Sequence, residues 1–180
     1  MMERIELAPM LRETVTTRYS DLVTRPTGAA MRGRIEARIA ASPHPTAHLD
    51  FAAIGLLDFS CADEVVAKLL LNDDGERPRF VVLVNLGETH REAIEQVLES
   101  HRLSVVAVPA EGPRPCMLGW RTPDLVTAFE TIHELGAGDA KRLADRLDWT
   151  VERAADALQS LALRRLVQAA SGTYRPLPIP

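Results

Sequence analysis

The residues with the clearest chemical potential are Asp58-Phe59-Ser60-Cys61, where two polar side chains precede an amphipathic helix. A serine hydroxyl here can cap the helix by accepting a hydrogen bond from a first-turn amide, which contributes typically about 1 kcal/mol. The same hydroxyl can accept a phosphate, which adds roughly −1.5 to −2 charges. The helix dipole would attract that charge, whereas Asp58, Asp63 and Glu64 would repel it. The residues alone therefore favour Ser60 as a cap and leave a switchable serine open.

No other residues form a pattern typical of catalysis or metal binding. The five histidines are scattered, and the sequence contains no HExxH, CxxC, Walker or GxGxxG motif. His44 and His48 have a helical metal spacing, but Pro45 excludes a helix there. Acidic neighbours of Cys61 oppose a reactive thiolate, so a packed side chain is expected. We predict a protein that is not an enzyme and has no catalytic residue, metal site or cofactor.

Hydrophobic periodicity predicts the elements around Ser60. Ile5 and Leu7 alternate with charged neighbours, which is typical of an edge strand. Further strands are predicted at Ala47–Phe51, Arg79–Asn85 and Leu103–Val108, and helices over residues 28–40, over residues 61–71 and from Thr89. Alternating strands and helices are typical of a mixed sheet with helices packed against it. The N-terminal part is therefore predicted to be an α/β domain.

The composition is that of a globular protein from a reducing compartment. Of the 180 residues, 46% are hydrophobic and 26% are charged, with a net charge of −4. No apolar run approaches the roughly 20 residues that span a bilayer, and no secretory signal is recognised. Cys61 and Cys116 lie far apart, so no disulfide framework is expected. We predict a cytoplasmic protein without membrane contact.

A proline-rich stretch predicts how the chain divides. The segment PAEGPRPCMLGWRTP, which starts at Pro109, holds four of the twelve prolines. Proline lacks a backbone donor and restricts the residue before it, which favours a linker. The predicted domains cover residues 1–108 and 123–180, and the predicted linker covers residues 109–122.

The C-terminal segment has the pattern of three helices followed by a β-hairpin. Thr122-Pro123 and Thr150 are predicted helix starts, and the hairpin is predicted from Arg165 to Arg175. This order resembles the winged helix-turn-helix domain of many bacterial proteins. Residues 121–180 hold eight basic and eight acidic side chains, so their net charge is zero and they attract DNA phosphates only weakly. The predicted DNA contacts are Arg142, Thr150, Arg153, Gln159, Arg164, Arg165 and Arg175.

Three spaced motifs give the N-terminal domain a family resemblance. They are Leu22-Val23-Thr24-Arg25 with Met31-Arg32, then Leu49-Asp50-Phe51, then Ser60-Cys61-Ala62-Asp63-Glu64. They resemble the "tR…lR…vDF…SFaDE" pattern of the STAS-like family of unknown function, within the anti-sigma-factor-antagonist superfamily. The resemblance covers most of residues 1–108 and implies a STAS-like α/β fold.

The same resemblance implies a partner and a set of contacts. In the antagonists, the serine that begins this helix is phosphorylated by an ATPase-fold kinase, which is also the binding partner. Ser60 occupies the matching position, so the resemblance implies Ser60 as a phosphoacceptor. The implied partner is a histidine-kinase-like ATPase or an anti-sigma factor, and the implied contacts are Asp58, Ser60, Asp63 and Glu64.

The sequence thus predicts a non-enzymatic regulator, with two alternatives for its output. In the first, the STAS-like domain controls a winged helix that binds DNA. In the second, the whole protein is an adaptor in a pathway of the anti-sigma or ATPase-kinase type, and its winged helix docks proteins or oligomerises, for example as a homodimer. A small molecule bound in the loop before Ser60 is also compatible with the sequence.

Overall fold

The computed structural model describes residues 2–16, 18–72, 79–112 and 114–180. The chain folds into two compact units, one spanning Met1–Trp120 and the other Arg121–Pro178. We call them the α/β unit and the helical unit. Among the described residues, no helix combines the length and the apolar character needed to cross a bilayer.

A mixed five-stranded sheet forms the centre of the α/β unit, as the alternation of elements predicted. Its strands are β1 Glu3–Glu6, β2 Thr46–Asp50, β3 Phe80–Leu86, β4 Ser104–Pro109 and β5 Cys116–Gly119. The strands lie in chain order, with β1 to β4 parallel and β5 antiparallel to β4. Parallel strands in a buried sheet favour aliphatic residues on both faces, which explains the FVVLV run of β3.

In the part of this unit that the structure describes, six helical segments accompany the sheet, and their apolar faces share its core. They are α1 Leu7–Val15, α2 Arg25–Ala41, α3 Phe59–Ala62, a π-helical segment Asp63–Lys68, α4 Leu69–Leu71 and α5 Glu88–Ser100. The alternation of apolar and charged residues predicted that Leu7 belongs to the edge strand. This prediction is wrong, because Leu7 is the first residue of α1. The core combines sheet residues with one face of each long helix: Ile5, Leu49, Leu83 and Val105 with Leu11, Ile35, Val65 and Ile94.

The stretch that the sequence assigned to a linker, residues 109–122, contains strand β5. Met117 and Leu118 are buried, and their backbone pairs with Val106 and Val105 of β4. Pro109, Pro115 and Pro123 stand outside this short pairing, so they do not remove any of its donors. Gly119 ends the strand with a φ of +86°, and a Cβ there would lie 2.4 Å from the carbonyl oxygen of Leu103.

The helical unit consists of three helices and a two-stranded hairpin. Its elements are α6 Pro123–Leu135, α7 Ala140–Leu147, α8 Val151–Leu163, β6 Val167–Ala170 and β7 Thr173–Pro176. Thr122, Asp139 and Thr150 cap the helices, each accepting a bond from the amide three residues on. The hairpin begins at Val167, two residues later than predicted, and turns at Ser171 and Gly172, both with positive φ. Two consecutive positive φ angles are typical of a tight hairpin turn.

Candidate functional site

Asp58, and not Ser60, caps the helix at the centre of the candidate site. Asp58 Oδ1 accepts bonds from the amide of Cys61 at 2.7 Å and from Ser60 Oγ at 2.8 Å. Ser60 is therefore the second residue of α3, and its expected place at the cap is wrong. Both residue types are good caps, but a carboxylate offers two oxygens and can hold several donors at once.

The backbone around Leu22 pairs in parallel with the backbone around Leu57, and this pairing brings Thr24 to Asp58. The amide of Leu22 donates to the carbonyl of Leu56, and the amide of Asp58 donates to the carbonyl of Leu22. The amide of Thr24 then donates to Asp58 Oδ2 at 2.8 Å. Burial raises the pKa of Asp58, but the bonds from Thr24 and Cys61 outweigh it and hold the pKa below its usual value. The cap is therefore a carboxylate at neutral pH.

Thr24 is held in a strained conformation by the same cap. Its φ of 72° is unusual for a β-branched residue. The carbonyl of Thr24 accepts a bond from Cys61 Sγ at 3.0 Å, so Asp58 and Cys61 hold both sides of this residue. Cys61 is fully buried, and burial, with the charge of Asp58, raises the pKa of its thiol to about 12. Cys61 is thus a packed hydrogen-bond donor rather than a nucleophile.

Asp63 and Glu64 lie inward and bind cations of their own chain. Arg25 Nη1 donates to both carboxylates, at 2.8 Å each. Glu64 is 2% exposed and also binds Lys68 and, at 3.3 Å, Arg32 Nε. Burial raises the pKa of Glu64, but its hydrogen bonds with these cations outweigh burial and leave the pKa below its usual value. These two carboxylates, predicted as partner contacts, are satisfied within the α/β unit.

The sequence motifs of the family resemblance largely converge in this one network. Thr24 and Arg25, Arg32, and the segment from Asp58 to Glu64 are linked by direct hydrogen bonds. Asp63 additionally accepts a bond from His101 Nε2 at 2.9 Å. Helix α2 packs closely against the segment that carries Cys61 and Glu64. A Cβ at Gly28 would lie only 2.9 Å from Glu64 Cβ, so a glycine is needed at this contact. We call Thr24, Arg25, Arg32, Asp58, Ser60, Cys61, Asp63 and Glu64 the motif network.

Asp50, from the remaining motif, belongs to a different cluster at the end of β2. Its Oδ2 accepts bonds from Arg4 Nε at 2.9 Å and Nη2 at 2.5 Å. Its Oδ1 accepts bonds from the amide of Ala52 and from Asn85 Nδ2. These four bonds satisfy the buried carboxylate, so this cluster ties β1, β2 and β3 together at one edge of the sheet.

Large apolar side chains are exposed at Phe59, next to Ser60 in the chain, and in the hydrogen-bonded loops around residues 19–22 and 55–57. Phe59 is 46% exposed, Leu56 is 64% exposed and Tyr19 is 74% exposed. Tyr19 precedes Ser20, whose carbonyl accepts a bond from the amide of Gly55. We call Tyr19, Leu56 and Phe59 the apolar loop surface. Clustered exposed apolar residues are typical of protein interaction sites.

In the helical unit, the structure distributes the predicted DNA contacts around α8. Thr150 caps α8, and Gln159 lies exposed on its outer face. Arg175 is exposed on β7, and Arg142 Nη1 donates to the carbonyl of Ala137 at 3.2 Å. Arg164 and Arg165 follow the end of α8 and are half-buried, and burial lowers the pKa of Arg164.

Arg153, the remaining predicted contact, is already engaged. Its Nε and Nη2 donate to the two oxygens of Asp124, at 2.8 and 2.6 Å. Its guanidinium lies 4.1 Å from the ring centre of Trp149. The other exposed residues of α8 include Glu152, Asp156 and Leu163, which is 77% exposed. The outer face of α8 is therefore acidic and partly apolar.

Within residues 2–16, 18–72, 79–112 and 114–180, no group of three or more His, Cys, Asp or Glu side chains could hold a metal ion. Comparison with protein-family models and with curated proteins finds no match to the chain. The most distinctive features of the two units are the bond from Ser60 to the helix cap Asp58 and the pairing of Arg153 on α8 with Asp124.

Proposed function

We propose that the protein is a non-enzymatic cytoplasmic regulator built from a STAS-like switch and a winged helix-turn-helix output domain. In this proposal the α/β unit binds a protein partner, of the histidine-kinase-like ATPase or anti-sigma type, and Ser60 is the switch. The observation that carries it is the bond from Ser60 Oγ to Asp58, because Asp58 also holds Thr24 in its strained conformation.

A phosphate on Ser60 would act directly on this arrangement. It would remove the proton that Ser60 donates and place roughly −1.5 to −2 charges beside Asp58. Repulsion would weaken the cap on α3 and release the amide of Thr24, whose backbone is strained. The neighbouring Arg25 would then be free to change partners, since phosphate attracts arginine strongly. The switch would thus change the surface that a partner meets.

The apolar loop surface supports partner binding at the same place. Leu56 and Phe59 flank Asp58 in the chain and offer apolar area to a partner. Asp63 and Glu64 would act on the partner indirectly, because they hold Arg25 in place. In this proposal Asp58 and Ser60, with the apolar loop surface, make the direct contacts.

For the output, we propose that α8 and the hairpin bind DNA. The order of α6, α7, α8 and the β6–β7 hairpin supports a winged helix, in which the helix after a short turn enters the major groove. Thr150, Arg153 and Gln159 would lie on that helix. Arg142, Arg164, Arg165 and Arg175 would bind the phosphate backbone around it.

A second candidate is that the helical unit docks a protein. The exposed carboxylates of Glu152 and Asp156 would repel phosphate, and the exposed Leu163 has no role in binding DNA phosphates. An acidic and apolar helix face suits a partner with cationic side chains around an apolar pocket. The exposed Glu152, Asp156 and Leu163 therefore favour a protein partner for this helix face.

A salt series separates the two outputs. Full-length protein is titrated into pooled genomic fragments, and the affinity is followed by gel shift as the salt concentration rises. DNA binding predicts an affinity that falls with salt, with a slope reduced by roughly 0.9 for each phosphate contact removed. The double variant Arg142→Ala/Arg175→Ala is expected to bind more weakly with a shallower slope, whereas Arg91→Ala in the α/β unit is the matched control. No complex even at low salt would leave the adaptor as the function.

A further inference from the structure

We propose that Asp124 restrains DNA binding by occupying the guanidinium of Arg153, so that it sets the affinity of the helical unit. The inference rests on the proposed DNA-binding function and adds how that site is regulated. It starts from the bidentate pair, in which Nε and Nη2 of Arg153 each donate to one oxygen of Asp124, at 2.8 and 2.6 Å.

The bidentate geometry of this pair is the one that an arginine also adopts with a phosphate. The planar fork of an arginine matches two oxygens of a carboxylate or of a phosphate equally well. Asp124 therefore fills the donors that a DNA phosphate or a guanine edge would use. The Trp149 ring, 4.1 Å from the guanidinium carbon, supports the plane of the fork from one side.

Arg153 lies where a winged helix would contact DNA, so its pairing with Asp124 affects DNA binding directly. Thr150 caps α8 by accepting a bond from the amide of Arg153, so Arg153 lies in the first turn of the helix. The N-terminal residues of a recognition helix are the ones that reach DNA. Along the described α8, Arg153 is also the sole basic residue, with Glu152 and Asp156 as its acidic neighbours. While Asp124 holds Arg153, this helix start presents DNA with no unpaired positive charge.

The ion pair is also exposed enough for a DNA phosphate to replace Asp124 as the partner of Arg153. The side chains of Arg153 and Asp124 are 50% and 43% exposed, so DNA can reach them without unfolding the unit. Half-exposed ion pairs contribute little to stability and are screened by salt. A polyanion can therefore compete with Asp124, and the outcome of that competition sets the affinity.

The test compares Asp124→Asn with the wild type in the salt-series gel shift on full-length protein. Freeing one phosphate-binding cation is expected to raise affinity about five- to tenfold near 0.1 M salt and to steepen the salt slope by roughly 0.9. Asp145→Asn is the matched control, because it removes the same charge from an exposed position of α7. Its expected change is smaller and leaves the slope as it is.

A second comparison assigns the gain to Arg153. In an Arg153→Ala background, the additional Asp124→Asn change is expected to raise affinity no more than Asp145→Asn does. Equal gains for Asp124→Asn with and without Arg153, or equal effects of Asp124→Asn and Asp145→Asn, would overturn the restraint while DNA binding itself stands. No complex with any variant at low salt would overturn both the restraint and the proposed DNA-binding function. Thermal unfolding of each variant identifies any loss of affinity that comes from misfolding.

Discussion

Replacing Glu64 by Gln removes the carboxylate that Arg25, Arg32 and Lys68 share in the motif network. Breaking a buried ion pair from one side costs typically 3–5 kcal/mol, because the remaining charge is left without compensation. Here the cations reach solvent, with side chains 22% to 49% exposed, so part of that cost is recovered by hydration. We therefore expect Glu64→Gln to lower the free energy of unfolding by about 2–3 kcal/mol.

The assay is urea denaturation at pH 7, followed by far-ultraviolet circular dichroism. Glu36→Gln is the matched control, since Glu36 binds Arg32 from the rim of the same network and its side chain is 36% exposed. Its expected cost is below about 1 kcal/mol. If Glu64→Gln costs no more than Glu36→Gln, the buried carboxylate does not organise this site and the reasoning is refuted.

Three further predictions follow from the same residues. The pKa values of Asp58, Asp63 and Glu64 are lowered in the folded state, so the stability they provide is complete at neutral pH. It is lost as the pH falls through the ordinary carboxyl range of about 4 to 5 and below, which urea midpoints between pH 7 and pH 3 will measure. Thr24→Gly should relieve backbone strain of about 1–3 kcal/mol and leave stability equal or higher, whereas Thr27→Gly inside α2 should cost about 0.3–0.5 kcal/mol in helix propensity. A loss of stability in Thr24→Gly as large as in Thr27→Gly would contradict the strain. Cys61, whose pKa is raised to about 12, should resist iodoacetamide at pH 7.5 until the protein unfolds. Peptide mapping that finds Cys61 alkylated in the native protein would contradict its burial.

Local patterns were sufficient to predict much of the fold. The aliphatic runs of β3 and β4 predicted buried strands, and the apolar spacing from Ala62 to Leu70 predicted a helix. Threonine before proline predicted the cap of α6, which Thr122 provides. These features depend on residues close together in sequence, where propensity and periodicity carry the information.

The details of the candidate site depend on contacts that are distant in sequence. Arg25 meets Asp63 and Glu64 from 38 and 39 residues away, so charged residues in a helical first turn gave no sign of being buried. Asp124 and Arg153 are separated by 29 residues in the same way. Asp58 and Ser60 are both good caps, and only the path of the backbone decides between them. Strand β5 is short and needs β4 beside it, which no local pattern indicates.

The most direct test of the account asks whether Ser60 controls DNA binding by the full-length protein. The affinities of Ser60→Glu and Ser60→Ala are measured against wild type in one gel-shift titration at a fixed salt concentration. The account predicts that the negative charge of Ser60→Glu changes the affinity at least about tenfold, or 1.4 kcal/mol, while Ser60→Ala stays near wild type. Equal affinities for Ser60→Glu, Ser60→Ala and wild type would contradict it, because a charge at Ser60 would then have no influence on DNA binding.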